Sequence, residues 1–318
     1  MRIVMLEPLG IAEEAVMRLA QPLIGKGHEF SFCGSKIQSE EEVIARAADA
    51  DVLIIANSPL PAKVINAAEK LKMISVAFTG VDHVDAAACK EKGVLVANAQ
   101  GYCTDAVAEL TLGLILSTLR NIVPCNEVTR QGKTKDGLVG NELYGKTIGI
   151  IGTGAIGTRV AEIAKVFGCK LLGYSRHESE HARNIGVEYV ELEELLSKSD
   201  IVTLHTPLTD ATKLLINKER LSLMKPTSIL INAARGPVVD SKALADALNE
   251  NRIAGAGIDV FEVEPPVETD HPLFNAKNVI VTPHIAFATK ESIYRRAEIT
   301  FDNITAWMNG ERKNVKIG

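Results

Sequence analysis

The sequence predicts an α/β protein built as two doubly wound domains, each a parallel sheet covered by helices on both faces. Three observations predict it. Short apolar runs alternate with segments of helical periodicity along the chain, the rhythm of successive βαβ units. A polar, glycine-bearing stretch at residues 130–144 separates two such series. The chain has 318 residues, about two domains' worth.

In the first series, residues 2–6 form a short apolar run and residues 11–19 have helical spacing. Residues 50–56 carry Asp51-Val52-Leu53-Ile54-Ile55, a buried-strand pattern, followed by a helix at 61–71 and a strand at 73–78. A long apolar helix begins near Asp105. Its run at 106–123 is interrupted by Glu109, Thr111, Ser117 and Arg120, so it reads as a buried helix and not as a membrane span. The second series has a strand at 147–151, a helix at 155–167 and a strand at 169–174. Further strands follow at 201–205, 228–232, 253–260 and 279–282. The closing helix at 290–309 returns to the first domain and makes it discontinuous.

Hydrophobic residues make up 46% and charged residues 24%, the balance of a globular protein. A net charge of −5 argues against a general nucleic-acid-binding face. Cys33, Cys89, Cys103, Cys125 and Cys169 are scattered, with no Cys-x-x-Cys pair. Such an odd set reads as reduced thiols in a cytoplasmic protein, neither a disulfide framework nor a metal site. The apolar run at residues 1–8 is too short for a signal peptide.

Gly152-Thr153-Gly154-Ala155-Ile156-Gly157 follows an apolar strand and opens a helical pattern. That is the setting of a dinucleotide fingerprint. The first glycine permits a tight turn, the second lets the backbone approach a pyrophosphate, and the third lets helix and strand pack closely. The helix N-terminus then stabilises phosphate charge. An overlapping Gly140…Gly145-Lys146-Thr147 fits an ATP-type loop by letter. Its context is inverted, because a polar stretch precedes it and a strand follows, so it is rejected.

A site for NAD usually carries an acidic residue about 20 positions past the glycines. Here that place is held by Ser175 and Arg176, with no carboxylate. A hydroxyl and a guanidinium suit a ribose 2′-phosphate. NADP is therefore expected in preference to NAD, with NAD as the alternative.

Three further motifs occur in order. They are Ile231-Asn232-Ala233-Ala234-Arg235-Gly236, Asp259-Val260-Phe261-Glu262-Val263-Glu264-Pro265 and Thr282-Pro283-His284-Ile285-Ala286. With Thr79-Gly80-Val81-Asp82-His83-Val84-Asp85 and Asp105-Ala106-Val107-Ala108-Glu109-Leu110, they make the chain resemble the D-isomer-specific 2-hydroxyacid dehydrogenases over essentially its whole length. The branches closest in character are the glyoxylate/hydroxypyruvate reductases and D-lactate dehydrogenases. The resemblance implies a flavodoxin-like substrate domain at 1–99 plus 289–318 and a Rossmann-type dinucleotide-binding domain at 100–288.

It also implies a catalytic set of Arg235, Glu264 and His284. A 2-oxo acid offers a carboxylate and an adjacent ketone. Arg235 is expected to bind both, fixing the ketone carbon and favouring the oxygen that becomes negative. His284 is expected to donate the proton, and Glu264 to orient the imidazole and favour its protonated form. By the same resemblance Thr79, Gly80 and Tyr102 stand on the substrate side. Thr104, Ala155 and Ile156 stand by the cofactor phosphates, Thr206 and Pro207 by the adenosine, and Ala233 and Asp259 by the nicotinamide.

The loop at residues 56–63 contains no arginine. A buried dianionic phosphate without cations is costly, so an unphosphorylated substrate such as glyoxylate, hydroxypyruvate or pyruvate is expected, with phosphoglycerate chemistry as an alternative. Leu60 is expected to line an apolar side-chain pocket. The same fold also serves a dinucleotide-sensing corepressor, a binding module; the complete Arg, Glu and His set argues for the enzyme. The resemblance implies a homodimer formed around residues 105–144.

Overall fold

The structure, a computed structural model, describes residues 1–35, 37, 39–263 and 267–318. It divides into two compact units, Met1–Cys103 with Thr289–Gly318, and Thr104–Ala288. The division places residues 100–103 with the first unit.

The first unit runs β1 (Arg2–Met5), α1 (Glu13–Ile24), β2 (Glu29–Phe32), α2 (Glu40–Ala47), β3 (Val52–Ile55), α3 (Ala62–Ala67), β4 (Met73–Val76), α4 (Ala86–Lys92) and β5 (Leu95–Asn98). Its sheet has the order β13-β5-β4-β3-β1-β2. All neighbours are parallel except the terminal β13 (Val315–Ile317), which lies antiparallel on β5. The alternation within β1 and β3 explains the two covered faces. Ile3, Met5, Val52 and Ile54 pack with α1 and with the closing helix α12 (Lys290–Met308), whereas Val4, Leu53 and Ile55 pack with α2, α3 and α4. Every residue of β3 is buried, and burial of each such side chain contributes about 1.5–3 kcal/mol.

The second unit begins with α5 (Thr104–Leu119), α6 (Ile122–Arg130), β6 (Thr147–Ile151), α7 (Ala155–Val166), β7 (Lys170–Tyr174), α8 (Glu180–Ile185) and β8 (Val187–Tyr189). It continues with α9 (Leu192–Lys198), β9 (Ile201–Leu204), α10 (Lys218–Leu221), β10 (Ile229–Asn232), α11 (Ser241–Asn249), β11 (Gly255–Ile258) and β12 (Val279–Val281). The wholly parallel sheet has the order β12-β11-β10-β9-β6-β7-β8. The chain starts at β6, winds outward to β7 and β8, then returns to β9 on the other side. That reversal is the switch point at which doubly wound sheets bind ligands, beyond the carboxyl ends of the strands.

Two expectations about elements change. The apolar run at 106–123 is not one helix, because α5 ends at Leu119 and Asn121 takes a left-handed φ of 50° before α6 begins. Among the described residues no single helix is long and apolar enough to cross a membrane, and α5 buries Ala106, Val107, Leu112 and Ile115 in the unit. Leu60, expected at a side-chain pocket, is fully buried in the core beside Val64 and Val84.

Candidate active site

In the second unit, every described candidate beyond Thr104 follows the carboxyl end of a strand. Ser175 and Arg176 follow β7, the glycine turn follows β6, Thr206 and Pro207 follow β9, Ala233 and Arg235 follow β10, Asp259 follows β11 and His284 follows β12. In sheet order this is one continuous row. The register is flush across the last three strands, since Asn232 pairs with Ile258 and Ile258 with Val281. Neighbouring strands lie about 4.8 Å apart.

The glycine turn has the geometry that its residue types demand. Gly152 has a φ of +94°, and a Cβ there would lie 2.6 Å from the His205 carbonyl oxygen. At Gly157 a Cβ would lie 2.0 Å from the Gly152 carbonyl oxygen. Gly154 differs, because a Cβ there would meet no protein atom within 4 Å. It is also the N-cap of α7 and supplies no side-chain cap. An uncapped twelve-residue helix therefore opens onto empty space, which fits a cofactor phosphate. A depression of about 430 Å³ adjoins it, lined by Thr104, Gly154, Ala155, Arg159, Ser179 and His181.

Arg159 was missed by sequence reasoning. It lies one helical turn beyond Ala155, a spacing that could have found it. Its guanidinium is held by Asp105 and Glu162, each at 2.8 Å. Thr153 turns inward instead, its hydroxyl 2.6 Å from the Tyr189 hydroxyl, which also accepts the Ser179 N–H. Ser175 is half-buried, and Arg176 is exposed and without an ion pair among the described residues.

Arg235 precedes a 3-10 turn, Gly236–Val238, and Gly236 is pressed against the backbone of Phe261. The Arg235 guanidinium is half-buried and donates one N–H to the Ala234 carbonyl at 2.7 Å. His284 has a φ of +53°, a region costing a non-glycine residue about 1–2 kcal/mol. Its ring packs edge-on to Phe287, with centroids 5.4 Å apart. Glu264 lies outside the described residues.

Asp259 is fully buried. Its carboxylate accepts hydrogen bonds from the Thr282 hydroxyl at 2.5 Å and from the N–H groups of Ile285 and Ala286 at 2.9 Å each. Burial pushes this carboxyl above its ordinary range, opposed by those three bonds and by the charge of His284. His205 is pushed down to about 3 by burial, so its imidazole is neutral at physiological pH.

In the first unit, Thr79 is exposed and Gly80 half-buried, and the Asn98 side chain donates to the Thr79 carbonyl at 2.5 Å. Tyr102 is only 1% exposed. Its ring lies 6.0 Å from Phe78 and under the Arg296 guanidinium, and burial pushes its phenol above the usual range. Glu7 holds the loop after β3 by accepting the N–H groups of Ala56 and Ser58, both at 2.8 Å. No cluster of three metal-ligating side chains is present among the described residues.

Comparison with known proteins identifies the family. Residues 112–286 match the model of the NAD-binding domain of D-isomer specific 2-hydroxyacid dehydrogenases. The glyoxylate reductase of Korarchaeum cryptofilum is 41% identical over 280 residues, covering 86% of this chain and 84% of that protein. The hydroxypyruvate reductase of Blautia hydrogenotrophica is 38% identical over 284 residues, covering 86% and 87%. Among solved structures, D-lactate dehydrogenase from Aquifex aeolicus, complexed with NAD and lactic acid, superposes with a TM-score of 0.84 at 31% identity, covering 100% of this chain and 99% of that one. The chain is thus an oxidoreductase that belongs to the D-isomer-specific 2-hydroxyacid dehydrogenase family, with its NAD-binding domain in the second unit.

Proposed function

We propose that this enzyme reduces a small, unphosphorylated 2-oxo acid to the D-2-hydroxy acid, with NADPH preferred to NADH. The observation that carries the reading is the row along one sheet edge. Arg235 and His284 emerge from β10 and β12, flush through β11, in the same sheet whose β6 ends in the glycine turn. The nicotinamide cofactor supplies the hydride. Arg235 binds the carboxylate and the carbonyl oxygen of the substrate and favours the negative charge that develops there. His284 donates the proton to that oxygen. Glu264 is assigned to the imidazole by family resemblance. Thr79, Gly80 and Tyr102 of the first unit are assigned to the substrate, and Thr104, Ala155, Ile156, Thr206, Pro207 and Ala233 to the cofactor.

The preference for NADPH rests on Ser175 and Arg176. An exposed guanidinium, without an ion pair among the described residues, stands where a carboxylate would repel a 2′-phosphate. The test compares kcat/KM with NADPH and NADH in wild type and Arg176→Ala. A clear NADH preference that the substitution leaves unchanged overturns the assignment.

The relatives named glyoxylate and hydroxypyruvate reductase support the substrate class, and phosphoglycerate dehydrogenase is less supported. The loop at 56–63 has no arginine, and Glu7 places a carboxylate against it. Turnover is measured with glyoxylate, hydroxypyruvate, pyruvate and 3-phosphohydroxypyruvate. Faster turnover of the phosphorylated substrate overturns this part. Exposed Ile122, Val123, Val139 and Tyr144 support a homodimer formed through the second unit, to be checked by sedimentation. Five free cysteines fit work in a reducing cytoplasm.

A further inference from the structure

The buried carboxylate of Asp259 has a geometry that a cofactor contact leaves unexplained. Two of its three donors, Ile285 and Ala286, are the two residues that follow His284. The third, Thr282, stands two residues before it. The Asp259 backbone completes the hold, since its carbonyl accepts the His284 N–H at 2.8 Å and its own N–H donates to the Asn232 carbonyl at 2.9 Å. His284 is thus enclosed on both sides by bonds to one residue.

The enclosed turn is strained. Six described non-glycine residues have positive φ, and four are asparagines, which tolerate the left-handed region. A histidine held there keeps that backbone only where its surroundings over-determine it. A buried carboxylate is itself costly unless its oxygens are satisfied. Each feature answers the other, because the turn satisfies the carboxylate and the carboxylate holds the turn.

We propose that Asp259 is the positioning residue of the proton donor, its carboxylate fixing the left-handed turn that aims the His284 imidazole. The proposal rests on the reading of His284 as the acid. A cofactor contact alone does not account for these three bonds, and the lone pair left on Oδ2 makes such a contact compatible with the positioning role.

The test is Asp259→Asn, which keeps an acceptor for Thr282 and Ile285 but sets an amide nitrogen against the Ala286 N–H. Turnover of the best 2-oxo acid should fall about 100-fold, the scale of an ångström-sized misplacement. Its KM and the Kd for NADPH, read by fluorescence titration, should each stay within about threefold. Thr282→Val, a milder probe that keeps the charge, should lower kcat about tenfold, and Thr282→Ser should restore it. Unchanged kcat in Asp259→Asn, or a weakened NADPH Kd with kcat retained, overturns the proposal. So does a Thr282→Ser variant no better than Thr282→Val. Should wild type reduce no 2-oxo acid, the functional reading fails by itself. A crystal structure of Asp259→Asn then decides the positioning role, which an unmoved turn at residues 282–286 overturns.

Discussion

The side-chain amide of Asn232 closes the loop that carries Arg235. Its Nδ2 donates to the Arg235 carbonyl and its Oδ1 accepts the Ala234 N–H, both at 3.0 Å. Asn232 is the last residue of β10 and only 1% exposed, so the sheet itself fixes where the guanidinium starts. Replacing it by Ala leaves a donor and an acceptor unsatisfied, at about 1–3 kcal/mol each. Asn232→Ala is therefore expected to lower kcat/KM for the 2-oxo acid by about two orders of magnitude through displaced binding. Nucleotide affinity should hold within about threefold, since the glycine turn follows a different strand. Steady-state kinetics beside an NADPH titration separates the two. Equal losses in both would mean that the whole unit is disturbed.

Two glycines of one motif should behave in opposite ways. Gly157→Ala forces a Cβ to 2.0 Å from the Gly152 carbonyl oxygen, a distance that no packing accepts, so β6 and α7 must separate. Its Tm should fall by several degrees, on the order of 2–3 kcal/mol. Gly154→Ala meets no protein atom within 4 Å and has an ordinary φ of −72°, so its Tm should move by no more than about 2 °C. Its nucleotide Kd should nevertheless rise tenfold or more, because the methyl group occupies the face that the phosphate approaches. Thermal melts and fluorescence titration of both variants check this. Unchanged nucleotide binding in Gly154→Ala would remove that face from the cofactor site.

These contrasts mark what was legible in the sequence. Val52–Ile55 is an uninterrupted apolar run because both faces of its strand are covered, and such strands are readable. β2 was not seen, because Glu29–Phe32 is an edge strand with no fully buried residue. The three-residue β8 carries too little pattern to read. In the site, Gly152 and Gly157 were legible because their roles follow from lacking a side chain. The glycine-phosphate, Arg235 and His284 positions came as residue types with known chemistry. The bonds that hold them did not. Asp259 meets residues 23 to 27 positions away, and Asn232 bends back over three. Nothing in residue type tells a carboxylate that faces a ligand from one that holds a turn.

A backbone contact behind Arg235 yields a stability test. An added Cβ at Gly236 would lie 2.0 Å from the carbonyl carbon and oxygen of Phe261. The obstacle is main chain, which cannot rotate aside as a side-chain tip can. Gly236→Ala should destabilise the protein by about 3 kcal/mol or more, and the strain falls on the segment leading from Asp259 towards Glu262. Denaturant unfolding gives the loss, and activity per folded molecule gives its reach. A fully stable Gly236→Ala would show that the loop after β10 can step away from Phe261.

His205 should impose an acid limit on stability. Its Nδ1 is buried without a hydrogen-bond partner among the described residues, while Nε2 lies 3.0 Å from the Thr203 hydroxyl. Burial pushes the imidazole down to about 3, against an ordinary value near 6.5. As pH falls through about 6.5 the unfolded chain takes up a proton that the folded one refuses, so the unfolded state gains. The stability that His205 permits is complete above that value. It is lost towards pH 3 at no more than about 1.4 kcal/mol per pH unit. Urea unfolding at pH 7, 6 and 5, before most carboxylates titrate, isolates this slope from theirs. His205→Asn should flatten it, because the amide does not titrate in this range. A wild type as stable at pH 5 as at pH 7 would mean that the imidazole is charged in the fold, and that water or a side-chain rotation reaches Nδ1.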